Sequence, residues 1–233
     1  MDQAIENKAS QVFGEWAKEG RGDRMAEGHW PRVRQILPRM NLQPGMSCLD
    51  VGCGNGYAVR AMAEAVGEPG TVYGVDLSAE MIARARASAD NPPNVRFEQA
   101  RAEALPLDAE KLDRLLSVEM LYYAGDIPAV LKEWARVLKP GGGVWVMMDF
   151  YAENPYCTTW PQDLGVPMTL WSEVQYRQAF EQAGFEKIET SRIFDSRPVD
   201  VEKFEPGWGY NTPDDVMDFR TRVGSLLVSA VKQ

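Results

Sequence analysis

The segment that most restricts the fold is Leu49-Asp50-Val51-Gly52-Cys53-Gly54-Asn55-Gly56. An apolar strand runs into a glycine turn, and apolar residues at helical spacing follow it. Glycines permit a tight left-handed turn and bring bare backbone and helix N–H groups close to a ligand. A second apolar run, Thr71–Asp76, ends in an acid about 20 residues beyond the turn, where nucleotide-binding βαβ units hold a ribose hydroxyl.

From residue 47 the chain alternates strand and helix, with no internal repeat. Strands are expected at Ser47–Val51, Thr71–Asp76, Asn94–Gln99, Asp113–Val118 and Gly143–Asp149. Between them Val59, Met62, Ala63 and Val66 follow the i, i+3, i+4, i+7 rule, and Ile127, Val130, Leu131, Trp134, Ala135 and Leu138 extend it over three turns. Trp134 is therefore a core residue. Ser78 is placed to cap the helix after Asp76, with Glu80 in its first turn, and Lys139-Pro140-Gly141-Gly142 is expected to end the long helix with Lys139 near its negative pole. Phe185–Phe194 and Gly224–Val231 read as further strands, with a short helix near Asp214–Arg222. The expected fold is α/β: a doubly wound, mostly parallel, seven-stranded sheet with an antiparallel last strand and helices on both faces.

One domain is expected over residues 1–233, divided into an N-terminal helical cap (1–45), a ligand-binding core (46–149), substrate-side loops (150–170 and 195–222) and a last strand (223–232). In the cap, Ile5, Val12, Phe13 and Trp16 form one apolar stripe and Val33, Ile36 and Leu37 another, with a helix break expected at Gly20-Arg21-Gly22-Asp23. The two substrate-side loops lack periodicity but are aromatic, with Phe150, Tyr151, Tyr156, Trp160 and Trp208. Long loops of this kind are usually functional, and they leave the carboxyl ends of strands, so they are expected to roof a substrate cavity.

A net charge of −9 argues against a nucleic-acid track, and the arginines at 21, 24, 32, 34 and 39, interleaved with acids, read as a solvated mixed-charge surface or as an anion contact. Three cysteines, Cys48, Cys53 and Cys157, show no metal-ligand spacing; no metal is expected and a reducing, cytoplasmic setting fits. The opening MDQAIENKAS lacks the pattern of a signal peptide, and no apolar run approaches the ~18 residues that span a membrane.

The glycine spacing separates two ligand classes. A dinucleotide turn wants G-x-G-x-x-G/A, but position 57 is Tyr57 and the pattern is G-x-G-x-G, with Asp50 two residues before it. Beside a pyrophosphate Asp50 is repulsive. Beside S-adenosylmethionine it can hold the amino-acid ammonium, directly or through water. Together LDVGCGNG (49–56), VDLSAEMIARAR (75–86), RAEALPL (101–107), SVEMLYY (117–123) and RVLKPGGGVWV (136–146) resemble the Rossmann-like, class I S-adenosylmethionine-dependent methyltransferases, most closely the broad group typified by the ubiquinone and menaquinone C-methyltransferases.

The resemblance covers about residues 45–195 and implies roles. Gly52, Gly54 and Gly56 let the backbone approach the methionine moiety, Asp76 takes both ribose hydroxyls, and Leu77 and Met81 flank adenine. Cys53, Glu103 and Val118 fall within the same motifs and join the cofactor set. Arg101 stands where the family often has an acid for the adenine amino group; arginine has no acceptor, so the backbone N–H of Ala102 is left to read the ring. Glu119, ending the fourth strand, is open to a cofactor or a substrate role.

Methyl transfer is an in-line displacement, and an acidic acceptor benefits from a base. His29, the single histidine, sits in the cap and reads as that base or as a helix-end histidine. Tyr122 and Tyr151 are the next catalytic candidates, and Tyr123, Asp149 and Trp160 are candidate substrate contacts. The expected activity is transfer of a methyl group from S-adenosylmethionine to a small-molecule acceptor, favouring oxygen or carbon and leaving S-adenosylhomocysteine. The alternatives are a non-catalytic S-adenosylmethionine-binding regulator and a nicotinamide-dependent oxidoreductase. No nucleic-acid or membrane partner is expected, and the chain reads as a monomer or a homodimer.

Overall fold

The computed structural model describes Val12, Gly14, Glu15 and residues 21–233. Seven strands form one sheet: β1 (Ser47–Val51), β2 (Thr71–Asp76), β3 (Val95–Gln99), β4 (Leu112–Val118), β5 (Leu138–Met148), β6 (Phe185–Ile193) and β7 (Ser225–Lys232). Their order is β3-β2-β1-β4-β5-β7-β6. The first five strands run parallel, and β7 lies antiparallel between β5 and β6. The doubly wound sheet with an antiparallel last strand is thus the observed fold.

The described helices are α1 (Arg21–Ile36), α2 (Tyr57–Val66), α3 (Ala79–Ala87), α4 (Ile127–Val137), α5 (Trp160–Leu164), α6 (Glu173–Gln182) and α7 (Pro213–Asp218). Strand residues alternate between two faces. Cys48, Leu116, Met147 and Leu227 pack against Val33 and Ile36 of α1, Val59 and Met62 of α2, and Ile82 of α3. Their neighbours Leu49, Leu115, Val146 and Leu226 pack against Val130 and Trp134 of α4 and Phe180 of α6. Burial on both faces is why these strands read as continuous apolar runs rather than alternating ones.

Two local expectations need correction. Of the break expected at Gly20–Asp23, Gly20 lies outside the described residues, and α1 runs from Arg21 through Gly22 and Asp23, so these three are helical. A helical glycine costs only about 1 kcal/mol, and Asp23 accepts hydrogen bonds from Asn55 and Arg84, which hold the first turn in place. Of the first apolar stripe, Ile5, Phe13 and Trp16 lie outside the described residues, while Val12 packs on Met81. Secondly, α4 stops at Val137 and β5 begins at Leu138, earlier than Gly143, with a register shift opposite Leu112–Arg114. Lys139 donates to Asp113 at 2.7 Å rather than resting on the helix end.

Candidate active site

β1 leads to β2 on one side of the sheet and its neighbour β4 leads to β5 on the other. Such a switch point opens a crevice beyond the carboxyl ends of the two strands. A cavity of about 170 Å³ lies there. Its middle is the stretch Asp50–Asn55. Toward β2 and β3 it is lined by Asp76, Leu77, Met81 and Ala100–Glu103; toward α1 and β4 by Met25, Ala26, His29, Tyr57, Val118–Met120, Tyr123, Ala124 and Pro167.

The three glycines of the turn all have positive φ, +79° at Gly52, +53° at Gly54 and +82° at Gly56. Their jobs differ. A Cβ on Gly52 would lie 2.7 Å from the Met120 side chain, and one on Gly56 2.7 Å from the Phe97 ring, whereas one on Gly54 meets nothing within 4 Å. Gly54 leaves room for a ligand. Gly56, which is not on the cavity wall, lets α2 close onto β3.

Asp76 is pre-oriented: its carboxylate accepts from the backbone N–H of Gly54 and of Ser78, both at 2.9 Å. Ser78 in turn caps α3 by accepting from Met81 N, as its position in the sequence suggests. Burial raises the Asp76 carboxyl, and those backbone donors pull against it. Asp50 is 2% exposed and its Oδ1 has no partner. Burial, reinforced by Asp76, pushes its carboxyl up to about 8. A buried carboxyl with an unused oxygen calls for a donor such as an ammonium, and this, with the open Gly54 cradle, fits an amino-acid-bearing cofactor. Arg101 pairs with Glu103 on the same wall.

At the other end α1 supplies the roof. His29 is half-buried there, and desolvation, aided by Arg32 and opposed by Asp149, lowers its imidazole to about 4. Glu119 follows β4 with φ +54°, a left-handed backbone uncommon for a side chain of this kind. Tyr122 donates to its Oε2 at 2.8 Å, while Oε1 is buried without a partner. Burial and the nearby Asp149 raise this carboxyl well above the usual range, against the pull of Arg32 and Tyr122.

Behind this wall Arg32 donates to both oxygens of Asp149, at 2.8 and 2.6 Å, and to Ser225 at 2.6 Å. Burial lifts Asp149, but Arg32 and Ser225 outweigh it and hold the carboxyl below its ordinary value. Arg32 is buried rather than on the surface with the other arginines of this segment, and its position four residues before Ile36, on the apolar stripe of α1, is the signal in the sequence that it faces inward. Asp149, Tyr151 and Trp160 do not reach the cavity wall. Tyr151 donates to Gly224 O at 2.8 Å and Trp160 donates to Trp208 O at 2.8 Å, so both are core residues with their polar ends satisfied. Tyr122 acts on the cavity through Glu119. Of residues 150–170, Pro167 alone lines the cavity among the described residues, so the expected aromatic roof is replaced by α1.

Residues 48–142 match the family model of a methyltransferase domain. Among curated relatives, a demethylmenaquinone methyltransferase of Shouchella clausii is 38% identical over 48% of each chain. A 2-phytyl-1,4-naphtoquinone methyltransferase of Trichormus variabilis is 37% identical over 48% of this chain and 50% of that one. The chain thus spans about half the length of these relatives. A solved complex pairs the Haloferax volcanii Trm112 methyltransferase activator with what is described there as a methyltransferase. A chain of it superposes with a TM-score of 0.84 at 33% identity, covering 94% of this chain and 96% of that one. With a third of its residues shared over nearly that whole structure, and the glycine turn of β1 opening onto a cavity at the switch point, the chain belongs to the class I, S-adenosylmethionine-dependent methyltransferases.

Proposed function

We propose that the chain transfers a methyl group from S-adenosylmethionine to a small-molecule acceptor at oxygen or carbon. The observation that carries this reading is one continuous cavity with two chemically different ends meeting at the Gly52–Gly54 turn. Asp76, Leu77, Met81 and Ala102 would hold the adenosine, and Asp50 with the glycine backbone the amino-acid portion. The bound cofactor supplies an electrophilic methyl group, and the protein supplies alignment, exclusion of water and a destination for the acceptor's proton. The quinone methyltransferases among the relatives support an acceptor that is small and partly apolar. The acidic net charge supports the same class over nucleic acid.

Among the described residues no helix is long and apolar enough to cross a membrane, and the three cysteines are buried and free, which suits a reducing compartment. The Haloferax relative is held with an activator protein; we read this chain as a monomer or a homodimer. Calorimetric titration with S-adenosylhomocysteine, against NADH as control, tests the reading. Binding of the former alone is expected; no binding by folded protein ends the proposal. Asp76→Ala is expected to weaken that binding by roughly 1.5–3 kcal/mol, the loss of charged hydrogen bonds, and unchanged affinity would take Asp76 out of the site.

A further inference from the structure

We propose that Glu119 is the catalytic base, its free Oε1 receiving the proton of an apolar acceptor that presents an O–H at the atom to be methylated. This rests on the methyltransferase reading and adds to it the class of acceptor.

The geometry singles out this carboxyl. It ends β4 at the switch point, its backbone is strained into the left-handed region, and its N–H is fixed on Met147 O at 2.9 Å. Strain of this kind persists where the surroundings over-determine it and clusters at working sites. One oxygen is anchored by Tyr122 and the other is buried and unpartnered, on a residue that lines the cavity. An unpaired buried oxygen is costly, so the site is complete only when a ligand donates to it. The described wall on this side is apolar at Met25, Ala26, Met120, Ala124 and Pro167, and its polar members, His29, Tyr57 and Tyr123, are uncharged near neutrality. The guanidinium on the cavity wall, Arg101, stands toward β3 and is paired with Glu103. A carboxylate or phosphate on the acceptor would face Glu119 with no counter-charge among these residues.

His29 shares the wall, but its depressed basicity makes its conjugate acid too strong to retain a proton near neutrality. Burial and Asp149 shift Glu119 the opposite way, making its carboxylate the stronger base. The groups that act on it are Arg32 of α1, Tyr57 of α2, Tyr122, Tyr123, Asp149, Cys157, Tyr176 of α6 and Tyr210. In the transfer the new acceptor–carbon bond forms as the carbon–sulfur bond breaks, and sulfur keeps the bonding pair. The acceptor's proton passes to Oε1 and leaves to water with the products. No further reactant is needed.

A base must be ionised before it acts, and a sulfonium beside Glu119 favours ionisation whereas the thioether of S-adenosylhomocysteine does not. Calorimetric titrations near neutral pH, in buffers of different ionisation enthalpy, count protons released on binding. S-adenosylmethionine is expected to release up to about one proton more than S-adenosylhomocysteine. Asp50 senses the ammonium of both and cancels in the difference. In Glu119→Gln the excess is expected to vanish. In Tyr122→Phe, which removes a bond favouring the ionised form, it is expected to appear at higher pH. Equal proton counts for the two ligands in the unmodified protein, or an excess that survives in a folded Glu119→Gln variant, overturn the proposal. Failure of both ligands to bind folded protein overturns the methyltransferase reading instead.

Discussion

Two titratable side chains on the cavity wall, the half-buried His29 and the buried Asp50, tie stability to pH with opposite signs. His29 is held near 4 against an ordinary 6.5, so the unfolded chain binds a proton that the folded chain refuses. The stability of the neutral form is fully present above pH 6.5 and is lost as pH falls toward 4. Replacing His29 by Gln is expected to flatten that fall, by at most about 1.4 kcal/mol per pH unit; urea melts across the interval measure it, and parallel curves would mean a solvated imidazole. Asp50 runs the other way. Its folded value near 8 against an ordinary 3.8 means that the ligand-free protein loses stability as pH rises between them. Asp50→Asn should remove that slope in the same melts while weakening S-adenosylhomocysteine binding. Both residues were legible as candidates from the sequence. Their protonation was not, because it follows from burial and from neighbours far away in the chain.

At the scale of the element, the glycine turn separates packing from binding. Gly56→Ala forces a Cβ into the Phe97 ring at positive φ, and should destabilise the fold by about 2–4 kcal/mol with α2 pushed off β3. Gly54→Ala meets no protein atom, and should cost roughly 1–2 kcal/mol for its backbone alone while weakening S-adenosylhomocysteine binding disproportionately. Denaturant melts paired with titrations check both; equal effects of the two variants on stability would contradict the assignment. β1, β2 and the Ser78 cap could be read closely because their signals lie within a few residues. The Lys139–Gly143 stretch misled: a helix-stop composition there also forms a bulged strand entry once β4 lies alongside.

Across the whole molecule, Arg32 joins α1 to the ends of β5 and β7 through Asp149 and Ser225. Breaking a buried pair by removing one partner leaves an uncompensated charge. Arg32→Met is expected to cost about 3–5 kcal/mol, and the double variant Arg32→Met with Asp149→Leu to recover most of it, because no bare charge remains. Thermal melts of the three proteins test this. If the double variant is as unstable as the single one, the ion pair is not what fastens the cap. The aromatic stretch after β5 looked from its composition like a cavity roof, but composition does not say which face a ring turns to. Phe150 stacks on Trp160 and both sit in the core.

The α/β sheet, the glycine turn and the acid at Asp76 were legible in the chain, since each is a short-range pattern of backbone freedom and apolar spacing. The tertiary structure decided which acids meet which partners. Arg32 and Asp149 are 117 positions apart, and the free oxygen of Glu119 exists because α1, the β4 end and the Tyr122 turn close around it. Charge state and accessibility in a desolvated pocket are set by everything packed against it, and no local pattern in the chain records that.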